Sequence, residues 1–197
     1  MSRAPLAILP PRLFGSVGYY DLMAQYQAVY IDYDMRYDKR EKAVHRYDIA
    51  DARGRLSLTV PVSKPEGFSS GQLRWSDISV SAHGRWWEVQ LTALESAYGG
   101  TPFFEYYIDR FKPLFAPRPL ADSESVTDLC RRADIAVRSI MQLPTYVLAK
   151  LPQGVPFDDY RRQPIPQTDT PYWQLRADEL GFIPGLSILD RLFNEGK

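Results

Sequence analysis

A single cysteine, two histidines and no excess of either charge remove several classes of function at once. Cys130 is alone in 197 residues, so neither an intramolecular disulfide framework nor a cysteine-based zinc cluster is available. Lysine plus arginine number 24, and so do aspartate plus glutamate. A chain with no net positive charge is a poor match for a dedicated nucleic-acid or anionic-membrane binder, whose affinity comes from counterion release at a basic surface; a local basic patch stays open. No apolar run approaches the roughly 20 residues of a membrane helix, so no transmembrane segment is expected. The run Leu6 to Leu9 is stopped by Pro10-Pro11 too early for a signal-peptide core. The chain reads as soluble and cytoplasmic, one domain over residues 1–197, with no linker and no internal repeat.

Signature loops are missing as well. No P-loop, G-x-G-x-x-G or H-E-x-x-H pattern occurs, and the G-x-S-x-G at Gly67-Phe68-Ser69-Ser70-Gly71 falls in a polar, glycine-bearing loop, not at a strand-to-helix turn. Gly185-Leu186-Ser187-Ile188-Leu189 lacks the second glycine of a nucleophile elbow. This argues against a P-loop ATPase, a standard dinucleotide oxidoreductase and an α/β-hydrolase. What is abundant is apolar and aromatic: 45% hydrophobic residues, with 13 Tyr and 4 Trp. That content excludes intrinsic disorder and calls for core packing or a stacking surface.

The patterning predicts an α/β fold. Leu6 to Leu9 reads as a strand covered on both faces. Ser16 caps a helix carrying Tyr19, Leu22, Met23 and Tyr26, and Ala28 to Ile31 is a second strand. Strand, helix, strand implies a βαβ crossover with parallel pairing. A charged, exposed loop, Tyr33 to Val44, leads to an antiparallel hairpin, His45–Ile49 and Leu56–Val60, turning at Asp51-Ala52-Arg53-Gly54. Asp77 to Ser81 and Tyr146 to Ala149 read as further strands. The second half is helical. Trp87, Leu91, Leu94 and Tyr98 form a stripe ended by Gly99-Gly100, Thr101-Pro102 starts the next helix, and a third begins at Asp122 or Ser123 and runs to Pro144. Residues 152–171 read as a long structureless loop, and Leu186 to Phe193 as a short amphipathic helix. The expected architecture is a mixed sheet with a βαβ start, an antiparallel hairpin and a helical second half; the alternative is α+β with helices on one face of an antiparallel sheet.

Asp32-Tyr33-Asp34 follows a buried strand. Two carboxylates so spaced can hold a divalent metal that bridges a diphosphate, or simply end an acidic loop. Arg36, Lys39 and Arg40 nearby can pair with them or bind phosphate at the strand's carboxyl end. His45 and His83 are the available imidazoles, either a general base or a surface histidine. Cys130 lies on the apolar side of its helix, as a structural thiol. Asp158-Asp159-Tyr160-Arg161 in the long loop is a ligand lid or a solvated turn.

Several segments resemble one family. Gly181-Phe182-Ile183-Pro184-Gly185-Leu186-Ser187-Ile188-Leu189-Asp190-Arg191-Leu192-Phe193-Asn194-Glu195-Gly196 is similar to the ending of the WbqC-like proteins. Ser96-Ala97-Tyr98 with Thr101-Pro102-Phe103-Phe104, the hairpin end Leu58-Thr59-Val60-Pro61-Val62, and the start with Leu9-Pro10, Phe14 and Tyr19-Tyr20 are also similar to that family. Trp86-Trp87-Glu88-Val89-Gln90-Leu91 lacks a histidine the family often carries, and His45 and Gly185 stand where it tends to have Asn. The resemblance implies a role in O-antigen or other surface-polysaccharide synthesis, as a transferase acting on a sugar nucleotide or other activated sugar. A non-catalytic partner of a polysaccharide assembly complex is the alternative. Under the transferase reading Asp32 is metal ligand or base, with His45 as the second catalytic candidate. Lys39 and Arg46 hold phosphate, Tyr20 stacks on the ligand, and Asp159 and Arg161 reach in from the long loop.

Overall fold

A computed structural model describes residues 4–116, 124–167 and 170–197. The chain opens with β1 (Ala4–Leu9), α1 (Val17–Ala24) and β2 (Tyr26–Ile31). Leu6, Ala7, Ile8 and Leu9 are all buried, which is why this strand lacks any polar alternation. β1 and β2 pair in parallel, Leu6 opposite Ala28 and Leu9 opposite Ile31. The crossover helix starts where Ser16 Oγ accepts from the Tyr19 N–H at 3.2 Å. Gly15 is fixed by space: a Cβ there would lie 2.8 Å from the Tyr19 ring.

The hairpin follows as β3 (Arg46–Asp51) and β4 (Gly54–Thr59), in register from Arg46↔Thr59 to Asp51↔Gly54. Short β5 (Val62–Ser63) and β6 (Ser79–Val80) pair next to it. Then come α2 (Trp86–Tyr98), α3 (Phe104–Phe111) and α4 (Val126–Met141). The chain closes with β7 (Tyr146–Val147), β8 (Asp158–Asp159), α5 (Ala177–Leu180) and α6 (Ile188–Glu195). The main sheet has the order β7-β2-β1-β8, with every pairing parallel.

The fold is α/β as expected, with parallel and antiparallel pairings in separate sheets: the hairpin forms its own two-stranded sheet. Several boundaries differ from the sequence reading. Tyr26, read as part of the first helix, opens β2. Thr101 does not cap α3. Its hydroxyl turns back to donate to the Tyr98 carbonyl at 2.7 Å, closing the end of α2, and α3 begins two residues past Pro102. The start of α4 is set by Ser125, whose Oγ accepts from Asp128 N at 3.1 Å; Asp122 and Ser123 lie outside the described residues. The long loop is not wholly structureless, because Asp158–Asp159 adds a strand to the free edge of β1.

One core holds the layers together. α6 inserts Phe193 among Tyr98, Phe104 and Phe111, with ring centroids 5.2, 5.1 and 6.0 Å away. Cys130 is buried on α4 and its Sγ donates to the Val44 carbonyl at 3.0 Å, while burial pushes its thiol pKa up. Among the described residues no helix is long and apolar enough to cross a membrane.

Candidate functional site

Ligands of open α/β sheets sit outside the carboxyl ends of parallel strands, where the winding changes side. Here β2 and β7 lie on one side of β1 and β8 on the other. The residues just past the carboxyl ends of β2 and β8 border a cleft of about 1300 Å³. Asp32 continues the β1–β2 pairing, its N–H donating to the Leu9 carbonyl at 3.0 Å. On β8, side chains alternate. Asp158 and Tyr160 both meet Tyr26 Oη, at 2.6 and 3.0 Å, which anchors the strand. Asp159 and Arg161 take the other direction, into the cleft.

Arg161 is the centre of this cleft. Its Nε and Nη2 donate to the two carboxylate oxygens of Asp159 at 3.0 and 2.7 Å, and its Nη1 donates to Asp32 Oδ2 at 2.8 Å. The guanidinium holds the Asp159 carboxyl below the usual carboxylate range, and the two acids together raise the arginine's own pKa. Three charged groups at the carboxyl ends of two strands are thereby fixed in one preorganised array.

Cations ring this array. The segment after β2 pairs with 73–75, Tyr37 N to the Leu73 carbonyl and Trp75 N to the Met35 carbonyl, so that Arg36 and Arg74 stand side by side. Lys39 and Arg162 line the same cleft. Arg36, Lys39 and Arg162 make no ion pair among the described residues, whereas Arg40 is held by Asp38 at 3.1 Å. Both acids of the Asp32-Tyr33-Asp34 triplet face the cleft but have different partners: Asp34 Oδ1 accepts from Ser76 Oγ at 2.7 Å. Tyr33 between them turns away, with the Arg131 guanidinium 4.3 Å over its ring. Among the described residues no three His, Cys, Asp or Glu side chains converge as a metal site.

The remaining sequence candidates go elsewhere. Arg46 lies outside this cleft. It lines a second, smaller one of about 500 Å³ at the β1–α1 loop, which shares Glu41, Arg162 and Gln163 with the first. Tyr20 is 1% exposed and packs in the core, where burial raises its phenol pKa. His45 is 8% exposed, with Nδ1 3.0 Å from the Val60 carbonyl and its ring against Trp75. Burial lowers its pKa, and it borders neither cleft.

Sequence reasoning missed Arg12, Lys42, Arg74 and Arg162. Arg12 carries a legible signal, since it follows the Pro-Pro stop at the carboxyl end of a buried strand. Arg162 had none, because β8 exists only through its pairing with β1.

No curated protein and no solved structure matches the sequence significantly. The model of the WbqC-like protein family matches residues 11–152. The match takes in β2, Asp32 and the basic segment that follows, and it ends before β8, Arg161 and the tail 181–196. With most of its length matched, from the β1–α1 loop to just past β7, the chain belongs to the WbqC-like protein family.

Proposed function

We propose that the chain is an enzyme that transfers a group to or from an activated sugar, working in the cytoplasm in the synthesis of surface polysaccharide. The observation that carries this reading is the convergence of β2 and β8 on one large cleft, where Arg36, Lys39 and Arg162, without an ion pair among the described residues, border the Asp32–Arg161–Asp159 array. Arg36, Lys39 and Arg162 are suited to the phosphates of a nucleotide- or lipid-linked donor. Asp32, only 13% exposed in its side chain, is the group oriented to accept a proton or to hold a divalent ion on the diphosphate. Arg161 positions it from across the sheet.

A thermal-shift panel of nucleotide-sugars, with and without magnesium or manganese, tests the reading. A saturable rise in Tm with one donor class is expected, and Lys39→Ala should weaken that donor about tenfold, the size of one lost charge-assisted contact, with the unliganded Tm unchanged. A panel that is silent on folded protein overturns the enzyme reading in favour of a non-catalytic partner of an assembly complex.

A further inference from the structure

The smaller cleft has a composition of which the activated-sugar reading uses only Arg162, which borders both clefts. Four cations line it, Arg12, Lys42, Arg46 and Arg162, against two carboxylates, Glu41 and Asp48. Both acids are already engaged: Glu41 accepts from Arg12 Nη1 at 2.7 Å, and Asp48 accepts from Arg55 Nη1 at 2.9 Å and Ser57 Oγ at 2.6 Å. Lys42 and Arg162 make no ion pair among the described residues. Arg46 spends only its Nε, on Thr59 Oγ1 at 2.8 Å, so its two terminal nitrogens are left to donate.

The backbone adds to this charge. Ser16 and Ser187 form an antiparallel bridge, with Val17 N donating to the Leu186 carbonyl at 3.0 Å and Ile188 N to the Gly15 carbonyl at 2.9 Å. Ser16 is the N-cap of α1 and Ser187 the N-cap of α6, and both residues line the cleft. The bridge therefore brings the positive ends of two helix dipoles to one cavity that four cationic side chains already border. Each cap serine uses its oxygen as an acceptor, from Tyr19 N and from Leu189 N. That use leaves both hydroxyl hydrogens to donate. Donors and positive charges therefore outnumber the two carboxylates of the lining, both of which are already paired.

We propose that this cleft is a second binding site, for the phosphoryl group of a phosphate ester or diphosphate, distinct from the Asp32–Arg161–Asp159 cleft. Arg46 and Lys42 grip the anion from the hairpin side, Arg12 and Arg162 from the sheet side, and the paired helix termini form the floor. A volume of about 500 Å³ admits a diphosphate with part of the group it carries.

Calorimetric titration of the full chain with inorganic pyrophosphate at low salt tests the site. Wild type should bind saturably. Lys42→Gln and Arg46→Gln should each weaken the binding about tenfold, and Lys64→Gln, exposed and lining neither cleft, should leave it unchanged. Lys42 is solvent-exposed and makes no ion pair among the described residues, so its variant keeps the wild-type Tm and reads binding alone. Absence of saturable binding overturns the proposal, and so does a titration that Lys39→Gln, in the other cleft, weakens while Lys42→Gln does not. Pyrophosphate binding that depends on Lys42 and Arg46 supports the site even if every nucleotide-sugar is silent.

Discussion

Two aspartate networks, one at the rim of the sheet and one in the core, put the same side chain to opposite uses. At the rim, Asp32 and Asp159 are tied to a cation, Arg161, and all three groups keep contact with water, at side-chain exposures of 13%, 39% and 36%. In the core, Asp190 is 0% exposed and forms no ion pair among the described residues. Its carboxylate accepts from Tyr98 Oη at 2.7 Å, Tyr172 Oη at 2.6 Å and Gln174 Nε2 at 3.0 Å. Tyr98 Oη also accepts from the Ala50 N–H at 3.1 Å, so this one acid links α6, α2, β3 and the segment before α5. The rim array has charge to spare for a ligand and is screened by solvent. The core network has every donor committed and functions as a fastener.

The comparison breaks most visibly at Asp190. Asp190→Ala strands two phenols and an amide in the core and should cost about 3 kcal/mol in denaturant unfolding, a sum of buried donors left unsatisfied. A loss below about 1 kcal/mol would mean that the network is not a fastener. Arg161→Gln should do the reverse. It should change unfolding free energy by no more than about 1 kcal/mol, as for a solvent-screened pair, while abolishing the donor-dependent Tm rise. A large stability loss without any change in binding would make the rim array structural.

The smallest effect is in pH, and here the two regions differ in sign. Burial raises the Asp190 pKa, so the folded state keeps a proton that the unfolded chain releases first. Its contribution is greatest in acid and falls as pH rises from the unfolded carboxyl value through the folded one. Asp159 is shifted down by Arg161, so its contribution is present above the unfolded value and is lost as pH falls through the folded one. Asp190→Asn retains an acceptor for one tyrosine and should remove the downward limb of the stability–pH curve. Asp159→Asn should remove the upward limb. Identical curves for the two variants would erase the distinction.

Much of the fold was legible because its signals are local. Ser16 as a cap, the wholly apolar Leu6 to Leu9 strand, the hairpin turn before Gly54 and the heptad-like face of α4 each require only near neighbours in sequence. The candidate site was legible in part. Asp32, Lys39, Asp159 and Arg161 do border one cleft, but Arg46 lines the other, and Tyr20 and His45 turned inward. Periodicity places a tyrosine on a helix. Which of Tyr19 and Tyr20 meets solvent depends on what covers the helix, and here both are buried.

By itself the sequence determined element type, the parallel βαβ start, the buried thiol and the family resemblance, since each depends on residue type at short range. Only the tertiary structure decided which charges act together. Asp32 and Arg161 are 129 residues apart and meet because a two-residue strand with no propensity of its own found the free edge of β1. The caps Ser16 and Ser187 likewise meet through a single bridge. Such non-local pairing is set by the packing of the whole core, which no short window of sequence encodes.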